Sequence, residues 1–168
     1  DILVIENSKK LQSDHGIKVF VTYSKLEKLK STGASIIKTD GPLISERFEL
    51  EVPGASLIDM EVEVTDLEIM LAGAGAVTLK GRAENQSISM NGVGNLAAYD
   101  LESDFSEVTV SGMGSVEVNV KENLNARVNG VGSIRYKGNP ANVTDRISGL
   151  GTIQVADQEE VSDQTESI

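Results

Sequence analysis

The chain has no cysteine and no tryptophan, only three prolines, and a single histidine. Without cysteine there are no disulfides, no thiol catalysis and no zinc–thiolate site. Aromatic residues make up 4% of the sequence, so the core must be built from Val, Ile, Leu and Ala. Such side chains suit thin, strand-rich interiors. Positive charge is also scarce: 15 Lys and Arg stand against 26 Asp and Glu, giving a net charge of −11. That balance disfavours nucleic-acid phosphates and anionic lipid as partners. No apolar run has the length needed to cross a bilayer; the longest mild stretch, Ile69 to Val77, is interrupted by glycine. The lone His15, between Asp14 and Gly16, reads as a surface turn with no partner for a triad. It leaves only carboxylates for a metal, so no metal site and no cofactor are expected.

Length and hydrophobic content are sufficient for one folded domain: 168 residues, of which 39% are hydrophobic. Glycine is plentiful, with 16 residues, and it is periodic. A Gly-x-Gly element recurs at Gly73-Ala74-Gly75, Gly92-Val93-Gly94, Gly112-Met113-Gly114, Gly130-Val131-Gly132 and Gly149-Leu150-Gly151. Degenerate copies lie at Gly33-Ala34-Ser35 and Gly54-Ala55-Ser56. From Gly33 onward the steps are 21, 19, 19, 20, 18 and 19 residues. Seven copies therefore cover residues 26–156.

Around each corner the apolar residues recur with period two. Val52, Leu71, Met90, Val110, Val128 and Ile147 precede the first glycine by two positions. Val77, Leu96, Val116, Ile134 and Ile153 follow the second by two. The residue between the glycines is apolar as well, and is counted with the same buried face. Alternation of this kind means strands with one buried face. The glycines mark corners that need either positive φ or close backbone approach. A unit of about 19 residues cannot bury its apolar face alone, but stacked units can.

The expected fold is all-β: a right-handed, single-stranded parallel β-helix with about 19 residues per coil, the hand following from the general rule for parallel connections. Each coil is expected to hold two strands and a shorter third segment. One domain spans 1–156, with N-terminal strands or a cap at 1–25 (Ile2–Ile5 and Ile17–Thr22) and Gly-x-Gly coils from 26 to 156. Residues 157–168 carry five acids and no base and read as a solvated tail.

Three sequence runs resemble one family: Ser111-Gly-Met-Gly-Ser-Val-Glu-Val, Asn129-Gly-Val-Gly-Ser-Ile-Arg-Tyr-Lys-Gly-Asn-Pro and Ile147-Ser-Gly-Leu-Gly-Thr-Ile. They are similar to the auto-transporter adhesin head family, which carries the GIN domain, and the likeness extends over residues 15–156. Tyr136-Lys-Gly-Asn-Pro140 is its most specific element. A more distant similarity is to the toast-rack domains of envelope-stress proteins. The resemblance implies an exported bacterial β-helical protein, at the cell surface or in the periplasm. It also implies that an upstream part of the family domain is missing from this chain.

Catalytic chemistry on a β-helix would stand on its outward ladders. Hydrolysis of the polygalacturonase type needs carboxylates clustered on adjacent coils. The ladder Thr78, Ala97, Glu117, Arg135, Gln154 holds one acid, and Lys80, Tyr99, Asn119, Lys137, Ala156 holds none. No catalytic residues are therefore assigned. Beside the corners, Asn91, Ser111, Asn129 and Ser148 form one small polar row, and Asn95, Ser115, Ser133 and Thr152 form another. Both read as hydrogen-bonding ladders. For a ligand, the candidate face is Lys80, Tyr99, Arg135 and Lys137, where a ring offers stacking and the cations suit an acidic sugar.

The expected function is a non-catalytic, adhesin-like binding module that recognises a surface glycan or an envelope protein along a solenoid face. The alternatives are an envelope-stress sensor domain and a carbohydrate-active β-helix enzyme. Oligomeric state has no signature in the sequence.

Overall fold

A computed structural model describes residues 2–6 and 18–156, and its described residues contain strands and no helix. The elements are β1 (Lys28–Lys30), β2 (Ala34–Val52), β3 (Ala55–Leu71), β4 (Ala74–Met90), β5 (Val93–Val110), β6 (Met113–Val128), β7 (Ser133–Gly138), β8 (Asn142–Ile147) and β9 (Thr152–Val155). They form one parallel sheet in the order β1-β2-β3-β4-β5-β6-β7-β9, with β8 also paired to β6. Each strand thus lies beside its predecessor, one repeat back. Strands of 16–19 residues, if straight, would run far beyond the roughly 4.8 Å that separates neighbours in a sheet. Each must instead bend through a full turn, which makes the molecule a parallel β-solenoid of about 19 residues per coil.

The registers reproduce the sequence steps. Ala34 pairs with Ala55, Ala55 with Ala74, Ala74 with Val93 and Val93 with Met113, while Ser115 pairs with Ser133 and Ser133 with Thr152. Where two strands and a short segment per coil were expected, β2 to β6 each run as one continuous bent strand. Register shifts at Lys38/Pro42, Thr78/Lys80 and Ala98/Glu102 mark where one coil carries extra residues relative to its neighbour. A bulge of this kind bends a strand without ending it. In the next coil Gly138 takes φ +97° and Pro140 supplies no N–H, and there the strand divides into β7 and β8.

Apolar ladders fill the interior. Val52, Leu71, Met90, Val110 and Val128 stack on one side, and Ile58, Val77, Leu96, Val116 and Ile134 on the other, all buried. Their backbone partners confirm the stacking. Each layer seals its neighbours, which is what an isolated coil could not do.

The residue between the glycines departs from the expected pattern. Val93, Met113, Val131 and Leu150 are exposed, not buried. The phase of the inward face runs through the glycines themselves: a Cβ on Gly114 would strike Met90, and one on Gly132 would strike Val110. The middle residue is one step out of that phase, so it points outward. In the first coils, serine replaces the second glycine. Ser31, Ser35 and Ser56 join their hydroxyls at 2.8–3.1 Å and so satisfy one another at the start of the core.

The N-terminal segments also differ from expectation. Residues 2–5 and 18–22 belong to no strand and are exposed. Ile17, His15 and the acidic tail at 157–168 lie outside the described residues.

Candidate functional site

Each coil has two consecutive outward residues in its second half, such as Thr65-Asp66, Glu84-Asn85 and Glu122-Asn123. The second residue of each pair forms a ladder: Arg47, Asp66, Asn85, Phe105, Asn123 and Asn142 stand at one position of six successive coils. Two residues further on, Glu49, Glu68, Ser87, Glu107, Asn125 and Thr144 make a second outward row. Between them lies an open groove of about 560 Å³.

The charges in this groove are already answered. The Arg47 guanidinium donates to Glu68 Oε2 at 2.9 Å, and Arg127 donates to Glu107 Oε1 at 2.6 Å. Asn85 Nδ2 donates to Asp66 Oδ1 at 2.9 Å, and Asn142 Nδ2 donates to Asn123 Oδ1 at 2.8 Å. Phe105 separates these two pairs and is 41% exposed.

Two polar side chains in the groove lining have unmet hydrogen-bonding capacity. Gln86 is 3% exposed and its Nε2 has no partner, nor does the buried Oδ1 of Asn125. Gln86 occupies an inward ladder that otherwise holds Phe48, Leu67 and Leu124. Its coil neighbour there is Ser106, whose hydroxyl donates to Gln86 Oε1 at 3.4 Å. Two polar side chains thus replace apolar ones directly behind the groove.

The sequence-derived face lies elsewhere. Thr78, Ala97, Glu117, Arg135 and Gln154 form one ladder, as expected. The companion row is broken, because Lys80 pairs with Asp100 and Tyr99 falls within the register shifts. Tyr99 still meets Lys137, whose Nζ lies 5.4 Å from the ring centroid. Arg135 Nη1 stands 3.9 Å from Glu117 Oε1. Burial raises the Tyr99 hydroxyl above its ordinary pKa; Glu117 adds to the shift and Arg135 opposes it. The structure therefore places Lys137 over the Tyr99 ring and Arg135 beside Glu117, and leaves Lys80 beside Asp100. One ring face of Tyr99 is occupied by a cation, a cation–π contact of ordinary strength.

The small polar rows do form hydrogen bonds. Ser115 donates to Asn95 at 3.0 Å and Asn129 to Ser111 at 3.5 Å, side chain to side chain. Among the described residues no group of three or more His, Asp or Glu side chains is placed to hold a metal ion.

The groove escaped sequence reading because its ladder mixes residue types. The available signal was positional: its members fall about twelve residues after the first glycine of each coil, at Asp66, Asn85, Phe105, Asn123 and Asn142.

Known proteins agree with this architecture. The fold matches the crystal structure of "a putative adhesin" from Bacteroides fragilis NCTC 9343, with a TM-score of 0.74 and 29% identity. The match covers 78% of this chain and 61% of the other, so this chain spans less than two thirds of that protein's length. No curated protein matches the sequence. Residues 1–140 match the family described as "Putative auto-transporter adhesin, head GIN domain", and the chain belongs to that family.

Proposed function

We propose that this chain is a non-catalytic recognition module of a bacterial adhesin, working outside the cytoplasm, at the cell surface or in the periplasm. The observation that carries this reading is the groove: a fixed outward surface with exposed amides and one exposed ring, borne by a family of adhesin heads. A solenoid suits such a task because every coil is held by its neighbours, so surface groups stay in place without a ligand to order them. The neighbouring structure, described as "a putative adhesin", supports the same reading.

Catalysis is not part of this proposal. Hydrolysis by paired carboxylates needs one acid left free to protonate and another free to attack or to activate water. Here Glu68 and Glu107 are held by arginines, and Asp66 accepts from Asn85.

Protease shaving of intact source cells, combined with competition by the purified chain, tests the reading. Peptides released from intact cells, and saturable inhibition of cell adherence by the free chain, are the expected results. Full protection until lysis, with no inhibition of adherence, would favour the envelope-stress sensor instead.

A further inference from the structure

We propose that the groove of Asn85, Phe105 and Asn123 binds an uncharged saccharide chain, with one sugar ring on Phe105 and its hydroxyls on the flanking amides. This inference rests on the adhesin reading and specifies its ligand.

Four observations converge on it. First, size: about 560 Å³ falls within the range of small-ligand sites, roughly 300–1,000 Å³. Second, polarity: an amide carries both donors and acceptors, as does a sugar hydroxyl pattern. Asn85 spends one N–H on Asp66, and Asn123 spends one lone pair on Asn142. Each amide beside Phe105 therefore keeps capacity for a ligand: Asn85 its Oδ1 and a second N–H, Asn123 its two N–H groups and a second lone pair.

Third, charge: Arg47 is bonded to Glu68 and Arg127 to Glu107, and Asp66 is the remaining acid of the lining, so the face carries a small negative excess. An anionic sugar would meet net repulsion there, whereas a neutral one would not. Fourth, Asn125, on the outward row of the lining, has an amide oxygen without a partner. A buried polar group without a partner costs about 1–3 kcal/mol, and polyhydroxylated ligands and their bridging waters are suited to meeting such a cost.

The exposed Phe105 ring supplies what amides lack. The C–H face of a pyranose is apolar and flat, and an aromatic ring covers it well. The ladder also has a useful spacing: coils repeat at about 4.8 Å, close to the length of one sugar unit. Successive amides of Asn85, Asn123 and Asn142 are thus placed to follow a chain laid along the solenoid axis. A peptide strand is a poorer candidate, because the strands bordering the groove already pair on both sides with neighbouring coils.

The test is an array of neutral and acidic oligosaccharides probed with the purified chain, followed by titration of the best binder. Binding to uncharged oligosaccharides that is little affected by salt is expected. Phe105→Ala is expected to weaken it about tenfold, and Asn123→Ala similarly. Met113→Ser, at the Gly-x-Gly corner, should leave it unchanged. Equal thermal midpoints for the variants and the parent separate lost contacts from lost folding.

The proposal is overturned if no saccharide binds, if Phe105→Ala and Asn123→Ala leave affinity intact, or if only acidic sugars bind in a salt-sensitive manner that Lys137→Ala abolishes. The last result would move the site to the Tyr99 face. If the chain blocks cell adherence yet binds no saccharide, the adhesin reading survives and only the ligand assignment falls.

Discussion

Gly92 rests against the backbone of Gly73, one coil below: a Cβ built on Gly92 would lie 2.0 Å from the Gly73 carbonyl oxygen. The contact belongs to a continuing ladder, since the N–H of Val93 donates to that same oxygen at 3.0 Å. A rigid backbone atom cannot move aside as a side chain can. The glycine is therefore required by the closeness of the coils and not by positive φ.

Gly92→Ala is accordingly expected to destabilise the fold by about 2 kcal/mol or more, in the manner of an overpacked core. Gly33→Ala provides the contrast, because a Cβ there meets nothing within 4 Å. Its expected effect is between neutral and a gain of about 0.5 kcal/mol, through a less flexible unfolded chain. Chemical denaturation of both variants checks the pair. Equal losses would refute the close-approach account.

The phase of the corner gives a second prediction. Met113 is 57% exposed, whereas Val116, three residues later, is fully buried. Met113→Ser should change stability by no more than about 0.5 kcal/mol. Val116→Ala should cost about 2 kcal/mol, for lost burial and a cavity in a sealed layer. Similar losses at both positions would mean that the middle residue of the corner is part of the core.

Much of this architecture was legible in the sequence because a solenoid translates sequence spacing directly into register. The steps between glycines became the offsets between paired residues, as with Ala74 and Val93 or Ser133 and Thr152. The orientation of Met113 was not legible, since an apolar residue in a corner carries no mark of which way it points. The broken row at Tyr99 was hidden for a related reason: a bulge inserts residues that simple counting assigns to the wrong ladder. The groove was hardest to see. Asp66, Asn85, Phe105 and Asn123 share no chemistry that would reveal a repeat, and only their common distance from the glycines connects them.

The polar pair behind the groove yields a third prediction. Gln86 and Ser106 stand in a ladder where Phe48, Leu67 and Leu124 are apolar, and Gln86 Nε2 lacks a partner. Replacing both members by apolar residues removes an unmet group together with its one weak bond. The double variant Gln86→Leu/Ser106→Ala is therefore expected to be as stable as the parent or more stable, by up to about 1 kcal/mol. A loss of more than about 1 kcal/mol on denaturant unfolding would show that the pair supports the fold.

Acid sensitivity gives the fourth, and it concerns the first full coil. Lys28 Nζ lies 2.7 Å and Lys30 Nζ 2.8 Å from the Glu51 carboxylate. The hydrogen bonds from Lys28 and then Lys30 hold the Glu51 carboxyl down at about 2, against an ordinary value of 4.5. A carboxyl with a folded pKa below its unfolded one binds its proton more readily in the unfolded chain. Its stabilising contribution is thus complete above about pH 4.5, shrinks as pH falls, and is gone once the folded form also protonates near pH 2. Glu51→Gln should lower the thermal midpoint at pH 7, and the gap from the parent should close across that window. The gap should also narrow in concentrated salt, because the pair faces solvent. A gap that stays constant down to pH 2 would show that Glu51 acts through packing and not through its charge.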